Sequence, residues 1–194
     1  GNVRRNIESL SGGQIDILTN NNWYEIAKTR YVHKDSNHMF FRVDTTQTIS
    51  RIDVSVIDFN YDLIIISDYN KGFLLEEDIE HICSNHTNVF IDTKKILGDW
   101  VNEARFIKIN DVEYRNSESQ VTSTIREKII RTLGGAGCEY RGKRYPTKKV
   151  EVKDVSGAGD TFISGLVVKF METYDIIESI KYANKCASNV VTQK

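Results

Sequence analysis

The sequence predicts an α/β fold in which helices cover both faces of a mostly parallel central sheet, with a small β lid beside it. Three observations carry this prediction. Residues 63–66 form a continuous apolar run, as in strands that are buried on both faces. Strand-like and helix-like segments then alternate up to residue 133, and two long helical patterns close the chain. This alternation is typical of parallel sheets with right-handed crossover connections.

The N-terminal region is predicted to contain one helix and one short strand. Apolar residues recur at helical spacing over residues 3–10, and the pair Gly12 and Gly13 ends that pattern. The short apolar run at residues 15–18 then predicts a strand. We therefore expect a helix that leads into a strand.

A β hairpin is predicted over about residues 24–44. Residues 29–33 and 39–43 are rich in β-prone side chains, and the polar residues 34–37 between them are typical of a turn. A two-stranded ribbon buries little apolar surface, so its apolar side chains need another surface. We expect the hairpin to act as a lid that contacts a bound ligand or the lid of a second copy; the alternative is that it packs on the main sheet of its own chain. The side chains concerned are Tyr31, Met39 and Phe41.

The rest of the chain is predicted to alternate strands with helices. Strands are expected at residues 63–68, 88–92, 106–110 and 129–133, with a helix at residues 75–84. A second hairpin is expected from residues 137–140 and 143–146, followed by helices at residues 159–172 and 176–191. Because there is only one proline and no Ser/Gly-rich linker, residues 1–194 are expected to form a single domain.

The composition disfavours several classes of function. The 26 Lys and Arg residues are matched by 27 Asp and Glu residues, and the net charge of -1 gives no field that attracts nucleic acid. No apolar run approaches the roughly 20 residues of a membrane span, and the N-terminal residues do not resemble a signal peptide. The three cysteines lack metal-ligand spacing and fit a reducing compartment. We therefore expect a cytoplasmic protein that binds neither nucleic acid nor membrane.

The most informative motif is DVSGAGDTFISG at residues 154–165. Gly157, Ala158 and Gly159 precede a predicted helix, so successive backbone N–H groups can approach an anion, and the helix N-terminus adds its positive end. Asp160 falls in the first helical turn beside that anion site, where a carboxylate can accept the proton of an attacking hydroxyl. For the motif alone, the alternative is that the glycines form a turn and Asp160 only stabilises the helix start.

This segment resembles the C-terminal signature of the ribokinase-like carbohydrate kinases, also called the PfkB family. Residues 1–10, 67–72 and 91–94 are most similar to the D-glycero-D-manno-heptose 7-phosphate kinases of that family. The resemblance implies a three-layer α/β/α fold with a β lid, ATP as the phosphoryl donor and Mg2+ as the metal cofactor. It also implies that Asp160 is the general base and that the anion hole for the transferring phosphoryl group consists of the amides of Gly157, Ala158 and Gly159.

The resemblance also marks a magnesium and nucleotide side of the site. Asn110 and Glu113 resemble the family's N-x-x-E element, and two such oxygen-bearing side chains can hold the water shell of Mg2+; taken alone, the pair would simply start a helix. The segment 132–137 resembles the strand and turn against which the nucleotide lies, with glycines that allow close backbone approach. Asn184 matches a position near the adenine, and the alternative is a polar surface residue. The nucleotide-side residues are thus Asn110, Glu113, Thr132, Gly135, Gly137 and Asn184.

Four residues are candidates for the acceptor side. Asn2 corresponds to the family's N-terminal asparagine, which hydrogen-bonds sugar hydroxyls, and Asp68 and Lys71 lie in a loop that faces the same pocket. Arg42 lies on the predicted lid and is a candidate contact for the acceptor. The alternatives are that Lys71 is a solvated loop lysine and that Arg42 is an exposed strand charge.

The chain also departs from the family pattern. It begins within what corresponds to the glycine-rich substrate loop, so the family's first strand is absent, and residues 19–28 and 116–129 are short for the elements expected there. The short segments are either true deletions or places where loops of a longer chain are missing from this sequence. We favour the second interpretation, because deletions in these elements would remove buried apolar area that a folded sheet needs. Val155 stands where the signature usually has threonine, which removes a supporting hydroxyl and spares the reacting groups.

The sequence therefore predicts an ATP-dependent sugar or sugar-phosphate kinase, with heptose 7-phosphate as one candidate acceptor. The alternatives are a nucleoside or fructose-phosphate kinase of the same fold, and a non-catalytic relative that binds nucleotide or sugar. The expected partners are a small-molecule acceptor and a second copy of the chain bound through the lid.

Overall fold

The fold is described from a computed structural model, which covers residues 2–20, 27–34, 36, 38–45, 49–148 and 150–192. Its strands are β1 (Lys28–Val32), β2 (Met39–Asp44), β3 (Ile64–Asp68), β4 (Val89–Thr93), β5 (Phe106–Asn110), β6 (Ile129–Thr132), β7 (Cys138–Tyr140) and β8 (Lys143–Tyr145). Its α-helices are α1 (Asn2–Leu10), α2 (Glu76–Asn85), α3 (Asp111–Ser117), α4 (Ser123–Arg126), α5 (Ala158–Thr173) and α6 (Ile176–Val190).

The main sheet has six strands in the order β3-β4-β5-β6-β7-β8. The first four strands pair in parallel, and β7 and β8 continue the sheet in antiparallel fashion. The prediction of a mostly parallel sheet is confirmed. Because parallel strands end at one edge, the polar residues at the ends of β3, β5 and β6 lie along the same side of the sheet.

Helices cover both faces of this sheet, which is the predicted three-layer arrangement. Val89 and Ile91 of β4 pack in one apolar cluster with helices α2, α3 and α4. Phe90, between them, points to the other face, where it packs with α1, α5 and α6, and its ring lies 5.2 Å from that of Phe170. Alternation of side chains along each strand therefore supplies two separate cores.

The predicted strand at residues 15–18 is wrong. The described residues 11–20 contain no strand, and Ile17 and Leu18 are exposed. A β-strand needs a neighbour to accept and donate its backbone hydrogen bonds, and no described strand pairs with this run. A short apolar run in the sequence does not show whether a partner strand lies beside it.

The lid hairpin is present as the antiparallel pair of β1 and β2. All of its strand residues are exposed, and the rings of Tyr31 and Phe41 stack on each other with centroids 4.4 Å apart. Packing of this ribbon on the chain's own main sheet, the alternative considered above, is therefore not what the structure shows. The predicted start at Tyr24, and the turn positions Asp35 and Asn37, lie outside the described residues.

Two negative observations apply to the part of the chain that the structure describes. None of its helices has the length and apolar character that crossing a membrane requires. Its cysteines are free: Cys83 and Cys138 are buried, and Cys186 is half-buried.

Candidate active site

A cavity of about 780 Å³ lies at the carboxyl edge of the parallel strands, between the end of β3, the start of α5 and helix α6. Most of the residues predicted for the site line it. They are Asp68, Asn110, Glu113, Thr132, Gly135, Gly137, Gly157, Ala158, Gly159, Asp160 and Asn184. The structure therefore brings most of the predicted site residues to one cavity.

The start of helix α5 is shaped by its glycines. Gly157 has a φ of 79°, in the left-handed region that favours glycine, and its carbonyl oxygen accepts a hydrogen bond from the Thr161 N–H at 2.8 Å. A Cβ atom at Gly159 would lie 3.0 Å from Nζ of Lys108. The first turn of α5 thus faces the cavity with an ammonium group directly against it, while the Ala158 N–H donates to the Val155 carbonyl oxygen at 3.2 Å.

Both carboxylate oxygens of Asp160 accept a hydrogen bond. The Asn2 side-chain amide donates to Oδ2 at 3.0 Å, and the Tyr69 hydroxyl donates to Oδ1 at 2.9 Å. Burial raises the pKa of the Tyr69 hydroxyl well above its usual value, and the Asp160 charge and hydrogen bond raise it further. Tyr69 therefore remains a protonated donor, and Asn2 lies beside Asp160 although it does not itself line the cavity.

Asp92 and Lys108 form an ion pair under the start of α5. Nζ of Lys108 lies 2.9 Å from Oδ2 of Asp92, and Lys108 is only 6% exposed. Burial raises the pKa of the Asp92 carboxyl despite the opposing attraction of Lys108; Glu113 and Asp160 add to the rise. Sequence reasoning assigned no role to either residue. The available signal was a lysine between two isoleucines of a buried strand.

Asn110 and Glu113 cap helix α3 reciprocally. The Asn110 side-chain oxygen accepts from the Glu113 N–H at 2.9 Å, and Glu113 Oε2 accepts from the Asn110 N–H at 2.8 Å. Glu113 Oε1 lies 3.1 Å from Nζ of Lys94. The helix-start interpretation is therefore what the geometry shows directly, and a role beside magnesium remains a prediction.

The part of the cavity wall that the sequence predicts to face the nucleotide consists of a tight turn at Gly137 and the buried side-chain amide of Asn184. A Cβ atom at Gly137, which has a φ of 91°, would lie 2.1 Å from the Tyr145 carbonyl oxygen, so β8 itself requires glycine there. Asn184 is 6% exposed and its amide donates to the same carbonyl at 2.9 Å. The alternative that Asn184 is a polar surface residue is wrong. Three exposed valines also line the cavity: Val150, Val152 and Val155.

The acceptor-side candidates are placed differently from one another. The buried Asp68 carboxylate accepts from the Thr93 hydroxyl at 2.9 Å and lies 3.5 Å from Nζ of Lys95. Lys71 is exposed and does not line the cavity. Arg42 pairs with Asp44 within the lid at 2.8 Å and does not line the cavity either. The structure therefore brings Asp68 to the cavity but not the two cations.

Comparison with known proteins identifies relatives across most of the chain. Residues 5–194 match the sequence profile described as pfkB family carbohydrate kinase. The bifunctional protein HldE of Sulfurimonas denitrificans is 27% identical over 193 residues, which cover 84% of this chain and 40% of that protein. Fructokinase-1 of Zea mays is 29% identical over 121 residues, or 52% of this chain and 37% of that protein. The chain thus spans less than half the length of these relatives.

Solved structures share the fold. Ribokinase from Thermotoga maritima superposes with a TM-score of 0.66 at 18% identity, covering 86% of this chain and 63% of that one. The nucleoside kinase of Burkholderia thailandensis, solved in complex with inosine, superposes with a TM-score of 0.63 at 15% identity, covering 86% of this chain and 62% of that one. At these identities the likeness shows the ribokinase-like fold alone.

Proposed function

The chain belongs to the pfkB family of carbohydrate kinases, and we propose that it transfers the γ-phosphoryl group of ATP to a hydroxyl group of a sugar or sugar phosphate. The observation that carries this proposal is the placement of Asp160 in the first turn of α5 at the cavity wall, with the Lys108 ammonium group against the adjacent Gly159. A proton acceptor next to a cationic anion site is what this transfer requires.

The proposed reaction assigns Asp160 as general base. An acceptor hydroxyl that binds next to its carboxylate would give up its proton to Asp160 while the oxygen bonds to the γ-phosphorus atom. The bond between that phosphorus atom and the bridging oxygen of ADP breaks, and ADP leaves. The N–H groups at Gly157 and Gly159 would stabilise the charge on the moving phosphoryl group, and the Ala158 N–H would join them on leaving the Val155 carbonyl oxygen, to which it donates at 3.2 Å.

We assign Lys108 to the same phosphoryl group. Its ammonium lies against Gly159, where the negative charge of the γ-phosphate would be placed. Asp92 holds this ammonium from the other side at 2.9 Å. Because Lys108 is buried, the attraction between its ammonium group and a phosphate is less screened by solvent than the attraction of a surface lysine.

The residues present fit an outer-shell role for magnesium. Each carboxylate oxygen of Glu113 already has one partner, Lys94 or the Asn110 N–H, but an ionised carboxylate oxygen can accept a further hydrogen bond from a metal-bound water. Within the described ranges, no three acidic, histidine or cysteine side chains are grouped to ligate an ion directly. When bound, Mg2+ would neutralise negative charge on the nucleotide phosphates.

For the acceptor, we propose D-glycero-D-manno-heptose 7-phosphate as the first compound to test, because residues 1–10, 67–72 and 91–94 resemble the heptose 7-phosphate kinases. The match to fructokinase-1 makes fructose and fructose phosphates the second candidates. A nucleoside acceptor and a non-catalytic binding role are the remaining alternatives.

We further propose that two copies associate through the lid in the cytoplasm. The apolar side chains of β1 and β2 are exposed to solvent, Phe40 by 62%. A contiguous exposed apolar patch of this kind is typical of a surface that another molecule buries. The lid of a second copy presents the same apolar side chains and supplies such a cover.

A substrate screen tests the proposed function. Purified protein with ATP and Mg2+ would be assayed for ADP release against a panel of sugars, sugar phosphates and nucleosides, with ATP alone as the control. We expect release that depends on one sugar or sugar phosphate. ADP release with a nucleoside only would favour the nucleoside alternative, and nucleotide binding without any turnover would indicate a non-catalytic relative.

A further inference from the structure

Tyr69 connects the end of β3 to the carboxylate at the start of α5. It immediately follows Asp68, the last residue of β3, and lines the cavity. Its hydroxyl donates to Asp160 Oδ1 at 2.9 Å, across 91 residues of sequence. Neither the resemblance nor the spacing of motifs assigned a role to this tyrosine.

The residues on both sides of Tyr69 are anchored. Asp68 accepts hydrogen bonds from the Thr93 hydroxyl at 2.9 Å and from the Asn70 N–H at 2.9 Å. Asn70 has a left-handed φ of 53°, and its side-chain oxygen accepts from Nζ of the buried Lys95 at 2.8 Å. The loop conformation is therefore held by buried polar contacts, and the tyrosine hydroxyl is directed at Asp160 by its neighbours.

We propose that Tyr69 is a positioning residue for the general base: with the Asn2 amide on Oδ2 and the Tyr69 hydroxyl on Oδ1, it orients the Asp160 carboxylate. A hydrogen bond donated to a carboxylate favours the charged form over the protonated form. The remaining lone pairs of Asp160 are left for the acceptor hydroxyl. This inference rests on the proposed function, because it takes Asp160 as the base.

Both positive and negative groups surround the hydrogen bond between Tyr69 and Asp160. Asp92 lies close enough for the Asp160 charge to raise its pKa, and Lys108 lies against Gly159 next to Asp160. Two further ammonium groups lie over the Tyr69 ring, Nζ of Lys28 from the lid at 5.2 Å and Nζ of Lys94 at 5.8 Å from its centroid. Within the part of the chain that the structure describes, none of these groups donates to the Asp160 carboxylate, so removal of the tyrosine hydroxyl leaves Oδ1 without its protein donor.

The first test is the pH dependence of kcat/KM in Tyr69→Phe, which keeps the ring and removes the hydroxyl. Without its donor, Asp160 is protonated more readily, so the acid limb of the profile is expected to move to higher pH by about half a unit to one unit. At pH values below that limb, the variant is expected to be about threefold to tenfold slower than wild type, and the difference narrows at higher pH.

Tyr61→Phe is the matched control. The Tyr61 hydroxyl also donates to a carboxylate, Asp16 Oδ2 at 2.8 Å, and its exposure of 40% is close to the 45% of Tyr69. Tyr61 does not line the cavity. Its variant is expected to retain the wild-type pH profile, which separates loss of a tyrosine–carboxylate hydrogen bond in general from loss of the one at Asp160.

A second measurement does not depend on turnover. Protein labelled with ¹³C at the aspartate carboxyls would be titrated by NMR, with the Asp160 signal assigned by its loss in Asp160→Asn. The Asp160 pKa is expected to rise in Tyr69→Phe and to stay unchanged in Tyr61→Phe. If wild-type protein shows no kinase turnover, the proposed function fails, while this titration still decides the positioning inference.

The inference is overturned if the Asp160 titration and the acid limb of Tyr69→Phe superpose on those of wild type. A raised KM for the acceptor with an unchanged titration also overturns it, since Tyr69 would then bind the acceptor rather than position the base.

Discussion

Nζ of Lys108 lies 2.9 Å from Oδ2 of Asp92 and directly against Gly159 at the start of helix α5. The ammonium therefore has the Asp92 carboxylate on one side and, on the other, the start of α5, where we propose that the phosphoryl group binds. A phosphate bound at α5 would be a second anionic partner for Lys108. Variants of this ion pair therefore test most directly where the phosphoryl group binds.

Lys108→Met is expected to lower kcat at least tenfold, because the phosphoryl group loses a buried cation. The single variant leaves the Asp92 charge buried without its partner, which is expected to lower the free energy of unfolding by about 3 kcal/mol. The double variant Asp92→Asn/Lys108→Met is expected to regain most of that stability without regaining activity. Chemical denaturation and steady-state kinetics measure the two effects separately. Equal recovery of stability and activity in the double variant would show that Lys108 only supports the fold.

Asp160→Asn is expected to keep the fold and the affinity for nucleotide while turnover falls by about a hundredfold or more, since the proton acceptor is lost. The substitution retains an oxygen atom that can accept from Asn2 or Tyr69, so the packing of α1 on α5 is preserved. Nucleotide binding by calorimetry serves as the control for intact structure. Wild-type turnover in the variant would contradict the assignment of Asp160 as base.

Glu113→Gln is expected to raise the magnesium concentration needed for half-maximal rate, with the dependence on acceptor concentration nearly unchanged. Glutamine keeps an oxygen acceptor for the Asn110 N–H at the α3 cap but removes the negative charge that would hold the metal's water shell. Glu118→Gln, one residue beyond the end of α3, is the control. A magnesium titration that coincides with that of wild type would mean that Glu113 serves the cap alone.

Phe41→Asp tests association through the lid. Phe41 is exposed and stacks on Tyr31, so the charge is tolerated in a monomer but is costly in a shared apolar interface. Light scattering is expected to show a dimer for wild type and a folded monomer for this variant. Val56→Asp, at an exposed apolar position outside the lid, is expected to leave the dimer intact. A monomeric wild type would exclude the shared lid.

Much of the fold was predictable because it depends on short-range patterns. The apolar run at residues 63–66 predicted a buried strand, and β3 covers Ile64–Asp68. The prediction at residues 15–18 failed because a strand also depends on a neighbour, which a local pattern does not contain. Asn184 was ambiguous for a similar reason. An asparagine in a helix suggests a surface, whereas its burial comes from the Tyr145 carbonyl of a distant hairpin.

The sequence by itself determined the local chemistry of the site. Glycines at 157 and 159 and an aspartate in the following turn specify an anion site beside a carboxylate, because backbone conformation and helix polarity are properties of neighbouring residues. Only the tertiary structure decided what surrounds that carboxylate. Tyr69, Lys108 and Asn2 reach the start of α5 from three other elements. Such contacts are set by the register of strands and the packing of helices across the sheet, which residue spacing along the chain does not specify.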